Sequence, residues 1–222
     1  MKRITICMML TTGLIGQLLL SAPPASAQTS SNLLAQRITL HISKRTFLYA
    51  LTTLSVDARV PIGFEVAVNH KDEYNVNIDV ENAPLQDVLD KIILQEPGYK
   101  WEMRDGVINI VPYQSRDDFV EKFLNTSVRQ FNPPKVLGKF QIRDAIIELP
   151  EVVNLLKANE IIASRYAYSY RYPSIYTDET VDLSISKTDV RGVLNKVVKD
   201  SEHKMWMVSR SGQNLNSLDV SF

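Results

Sequence analysis

One stretch of this chain returns, in register, further along it. Val76, Ile78, Val80, Leu85, Val88, Leu89, Lys91, Ile92, Ile93 and Trp101 reappear as Val181, Leu183, Ile185, Val190, Val193, Leu194, Lys196, Val197, Val198 and Trp206, always at an offset of 105 residues (206 minus 101). The match passes from a period of 2 to a period of 3.6 and back without an insertion, which is the mark of a strand–helix–strand unit used twice. The fold class this implies is α+β, as two small modules in tandem, each with helices packed on short mixed sheets.

The N-terminus sets the expected compartment. Lys2 and Arg3 precede an apolar run from Ile4 to Leu20, and Ser21 to Ala27 supplies small residues with Ala25 and Ala27 where a signal peptidase reads. Residues 1–27 are therefore expected to be a signal peptide and Gln28 the mature N-terminus. A membrane anchor fits less well, because Thr11, Thr12 and Gln17 interrupt the run and Pro23 and Pro24 end it. The destination is periplasmic or secreted, with no membrane span left after cleavage. Cys7, the one cysteine of the chain, lies in the removed segment. No disulfide framework, thiolate metal site or cysteine nucleophile is then expected in the mature protein. Losing two cations and no acid takes the balance from 25 against 25 to 23 against 25. A near-neutral chain without a basic run is a poor candidate for nucleic acid.

The elements of the first module, residues 37–112, follow from periodicity. Ile38, Leu40 and Ile42 alternate as a strand, after which Ser43 is the expected cap of a helix from Lys44 to Asp57. Ile62, Phe64 and Val66 read as a second strand, and Val76, Ile78 and Val80 as a third. Asn82 stands where the next N-cap belongs, with Pro84 in the first turn of a helix whose apolar face is Leu85, Val88, Leu89, Ile92 and Ile93. Asp105-Gly106 then turns a hairpin between Tyr99–Met103 and Val107–Val111. The order is βαββαββ. Residues 113–135 are expected as a linker, with an amphipathic piece near Phe119–Leu124, a strand near Val128–Phe131 and a break at Pro133-Pro134. The second module, 136–222, is divergent: its first helix, around Ile142–Leu149, aligns only at an offset of 95, so about ten residues are inserted before 105 resumes. Pro150 is expected to break that helix.

The run Val76-Asn-Ile-Asp-Val-Glu-Asn-Ala-Pro-Leu-Gln-Asp-Val-Leu89, with the hairpin Asp105-Gly-Val-Ile-Asn-Ile110, resembles the short N-terminal domain shared by secretins and TonB-dependent receptors. The second module matches that pattern only over Thr180–Val208. The resemblance implies a periplasmic docking domain that contacts other proteins and brings no catalytic residues with it. No secretin pore or TonB-dependent barrel follows in this chain, so an adaptor or accessory subunit fits better than a transporter.

Candidate sites are few. His41 and Ser43 share one side of their strand, yet no third member orients them, and Ser43 is better explained as a cap. His70 and His203 lie in polar runs, and no HExxH or EF-hand spacing exists, so neither a catalytic centre nor a metal or cofactor is expected. Trp101 and Trp206, at equivalent positions, read as core filling. The partner-binding candidates are Tyr166, Tyr168, Tyr170 and Tyr172, on one face of a strand by period 2, with Arg165 and Arg171 on the other. They serve either as packing against a helix or as a recognition strip, since tyrosine and arginine are enriched where partners bind. The leading function is a non-enzymatic periplasmic protein-interaction protein, whose partners are other envelope proteins or further copies of itself. The alternative is an exported carbohydrate-binding protein or enzyme using the tyrosine strip.

Overall fold

A computed structural model describes residues 32–71, 73, 75–133, 139–164 and 182–222. The expected signal peptide and all six residues of the tyrosine–arginine strip lie outside them. The fold is α+β.

In the first half β1 (Arg37–Arg45) pairs antiparallel with β3 (Val76–Pro84). Between them come α1 (Phe47–Asp57) and β2 (Ile62–Glu65), and after them α2 (Leu85–Leu94) and the hairpin of β4 (Tyr99–Arg104) with β5 (Val107–Pro112). Asp105 and Gly106 both take positive φ, as the tight two-residue turn requires. β2 lies parallel to β5. The second half runs α3 (Asp118–Leu124), β6 (Ser127–Phe131), α4 (Lys139–Ile147), α5 (Pro150–Ala158), β7 (Ile162–Ala163), β8 (Ile185–Asp189), α6 (Val190–Asp200), β9 (Met205–Ser211) and β10 (Ser217–Ser221). Its pairings follow those of the first half strand for strand: β6 with β8 antiparallel, β9 with β10 antiparallel, β7 with β10 parallel.

The halves do not keep separate sheets. β2 also pairs parallel with β9, so the order β4-β5-β2-β9-β10-β7 forms one six-stranded mixed sheet. Alternation along the shared strands sends the two apolar cores to opposite faces. On β9, Met205 and Met207 pack on the core of α1 and α2, whereas Trp206 and Val208 belong to the core of α3 to α6. On β5, Ile108 and Ile110 join the first core and Val107 the second. Two helical layers thus flank one sheet.

Several local expectations change. The helix after β1 is capped by Thr46, whose hydroxyl accepts from the Tyr49 N–H, and not by Ser43. The ladder to β3 continues through Arg45 opposite Val76, which keeps Ser43 inside the strand. Asn82 likewise is no cap: it takes positive φ within β3, which runs on to Pro84, and α2 starts without a side-chain cap. Within the expected linker the amphipathic piece and the strand both form, and they join the core. Asp117 caps α3 through the Phe119 and Val120 N–H groups, and α3 and β6 place Phe119, Phe123, Val128 and Phe131 in the second core. The chain does break at Pro150, which then serves as the first residue of α5, where its missing N–H costs nothing.

Candidate docking edge

The two halves of the sheet meet where β2 pairs with β9. Gly63 lies opposite Trp206, and a Cβ on Gly63 would collide with the indole ring, so the tryptophan is accommodated only because that strand carries a glycine there. Trp206 is fully buried and donates from Nε1 to Asn195 Oδ1 at 2.9 Å. Two residues beyond Gly63, on the same face, Glu65 is 1% exposed and faces Arg191, 2% exposed, with Arg191 Nη1 at 2.5 Å from Glu65 Oε1. Arg116 reaches the same carboxylate from its solvent side at 3.1 Å, and Arg191 donates to Asn109 Oδ1 at 3.2 Å and lies 5.9 Å over the Trp206 ring. Two buried charges are tolerable because each is paired and further hydrogen-bonded. Asn195 donates in turn to the Arg104 carbonyl, tying α6 to the first half. A glycine and an acid in β2 are therefore read by a tryptophan on β9 and a polar pair on α6.

The same reading surface exists once more, without an occupant among the described strands. Trp101 is the counterpart of Trp206, and its Nε1 donates to Asp90 Oδ1 at 2.8 Å as Trp206 donates to Asn195; both pairs are separated by 11 residues. Trp101 sits on β4, an outer strand of the sheet, and is only half-buried. The main chain agrees in phase. Tyr113 N–H donates to the Gly98 carbonyl, and antiparallel alternation then turns the main-chain groups of Trp101 and Met103 away from β5 and towards the open edge. Their counterparts at 105 residues on, Trp206 and Val208, turn theirs towards β2, where Val66 N–H donates to the Val208 carbonyl. On α2 Gln86, Asp87 and Asp90 are exposed, and Asp90 reaches β4 through its bond to Trp101.

The histidines do not form a site. His41 Nδ1 lies 2.7 Å from Asp79 Oδ1 across β1 and β3 on an exposed surface. His70 differs from the solvated loop residue expected, since its ring packs with Phe47, Phe64 and Tyr99 at centroid distances of 5.6–6.2 Å. His203 lies by the Phe222 ring. Among the described residues no group of three or more His, Cys, Asp or Glu side chains converges to hold a metal, and no helix is long and apolar enough to cross a membrane. The paired tryptophans were visible in the sequence as core residues, and one of them is. That Trp101 borders an open edge had no local signal, because both tryptophans follow the same pattern and differ only in what lies beside them.

Comparison with protein-family models, with curated proteins and with solved structures yields no match for this chain.

Proposed function

We propose that this protein is an exported, non-enzymatic docking or adaptor component of the cell envelope, which binds other proteins by adding an extended partner segment to the open edge of β4. The observation that carries the reading is the pairing of like with like: Trp206 and Asn195 are covered by an adjoining strand, whereas Trp101 and Asp90 keep the same geometry beside an edge with no strand on it among the described residues. Strand addition supplies affinity through the main chain and specificity through alternate side chains. The likeness of residues 76–110 to secretin and TonB-dependent receptor N-terminal domains supports a docking role, and the apolar N-terminal run supports export.

The test is a photoreactive side chain placed at Glu102, exposed on β4, and in a second variant at Lys157, exposed on α5. Cross-linking in the native cell should give discrete adducts from position 102 that are absent from position 157. Identical adducts from both positions, or none from 102, would rule out docking at this edge. Mass spectrometry of the protein recovered from the envelope should find it starting at Gln28.

A further inference from the structure

Resting on that reading, the structure also points to the chemistry of the segment that fits. At the closed junction Trp206, bonded to Asn195, requires glycine, and Arg191 stands where Glu65 arrives. At the open edge the tryptophan is kept, but Arg191 is replaced by Gln86 (191 minus 105) and Asn195 by Asp90 (195 minus 105). The cation that receives a carboxylate inside the molecule is gone, and an acid has been added beside it, with exposed Asp87 next in the helix. We infer that the segment docking parallel to β4 carries a glycine opposite Trp101 and, two residues later on the same face, a lysine or arginine.

The intervening and preceding side chains point to the other face, as Ile62 and Phe64 do in β2. There they meet Met205 and Met207, but at the open edge the counterparts are Lys100 and Glu102, both exposed, so polar residues are accepted at those two positions. The segment belongs to another protein and not to a second copy. Of the eight glycines in this chain only Gly98 is followed two residues on by a basic residue, Lys100, and that pair is the start of β4 itself.

The probes are three peptides built on the β2 sequence 60–66: VPIGFEV, VPIGFKV with lysine for the glutamate, and VPIVFKV with valine for the glycine as well. Each is dye-labelled and titrated by fluorescence anisotropy with the full mature protein at low salt, where exposed charges are least screened. VPIGFKV should bind roughly fivefold tighter than VPIGFEV, the scale of an opposite-charge cross-strand pair, and VPIVFKV should not bind measurably. Gln86→Arg with Asp90→Asn, both at exposed positions, recreates the charges of the closed junction and should invert the preference between the first two peptides. Trp101→Ala should abolish binding of all of them. Equal affinities for VPIGFKV and VPIGFEV would overturn the charge rule while leaving strand addition standing, and equal affinities with glycine and valine would overturn the glycine rule. Failure of every peptide to bind would overturn strand addition at β4 itself, and this inference with it.

Discussion

Gly63 shows how much one absent side chain decides. Its strand neighbours Ile62 and Phe64 are core residues of the first half, yet the space where its own Cβ would stand belongs to the Trp206 indole of the second. Gly63→Ala should destabilise the protein by about 1–3 kcal/mol, the usual cost of forcing a carbon into a packed core, as a lowered urea midpoint. Glu65 and Arg191 form a buried pair on the same face. Glu65→Leu strands a buried guanidinium and should cost about 3–5 kcal/mol, whereas Glu65→Leu combined with Arg191→Met should restore stability to near the wild-type value, because an apolar pair of similar volume avoids desolvating both ions. Urea melts of the two variants check this. A double variant no more stable than the single one would show that the cost lies in the polar groups left behind, Arg116 and the Asn109 Oδ1 that Arg191 bonds, and not in the stranded guanidinium.

At the scale of elements, the strength of a β-ladder and not the identity of a capping residue decides where α1 begins. Ser43 and Thr46 are both good N-caps by chemistry, but β1 remains paired with β3 as far as Arg45, and Lys44 turns through positive φ while its N–H donates to Asn77 Oδ1. Only Thr46 is then free to accept from the helix. Thr46→Ala should cost about 1 kcal/mol, the usual value of a lost cap, while Ser43→Ala, exposed on β1, should stay within about 0.5 kcal/mol. Thermal or chemical melts of the two single variants distinguish them. The hairpin at Asp105-Gly106, the α2 face and the repeated helix at Val190–Asp200 follow the sequence closely, since each depends on contacts within a few residues, whereas the strand expected through Val181, Leu183 and Ile185 starts, among the described residues, only at Ile185.

For the whole molecule, the shared sheet couples the two halves. β2, β5 and β9 each contribute to both cores or to the polar seam between them, so neither core is complete without strands of the other half. The protein should therefore unfold in one transition. Hydrogen exchange of Leu51, in the first core, and of Leu194, in the second, should report the same opening free energy, equal to that of global unfolding. Two separable transitions, one per half, would show that the β2–β9 pairing contributes little. A common transition also means that a variant at Gly63 loosens both cores together.

The α+β class, the periodicities and the faces on which apolar side chains gather are legible in the sequence because each is written in residues a few positions apart, and the recurrence at 105 residues because it repeats such a local pattern. The sequence placed Ile62 and Phe64 on an inward face correctly, but it could not tell that the opposite face of the same strand is buried too. Nothing local marks Gly63 or Glu65 as buried. Their partners, Trp206 and Arg191, lie in the other half of the chain, and no local pattern records a contact across that distance. The joining of β2 to β9, which covers one tryptophan while the other borders an edge with no strand among the described residues, is decided in three dimensions, since which strand edges meet depends on how two surfaces fit in space.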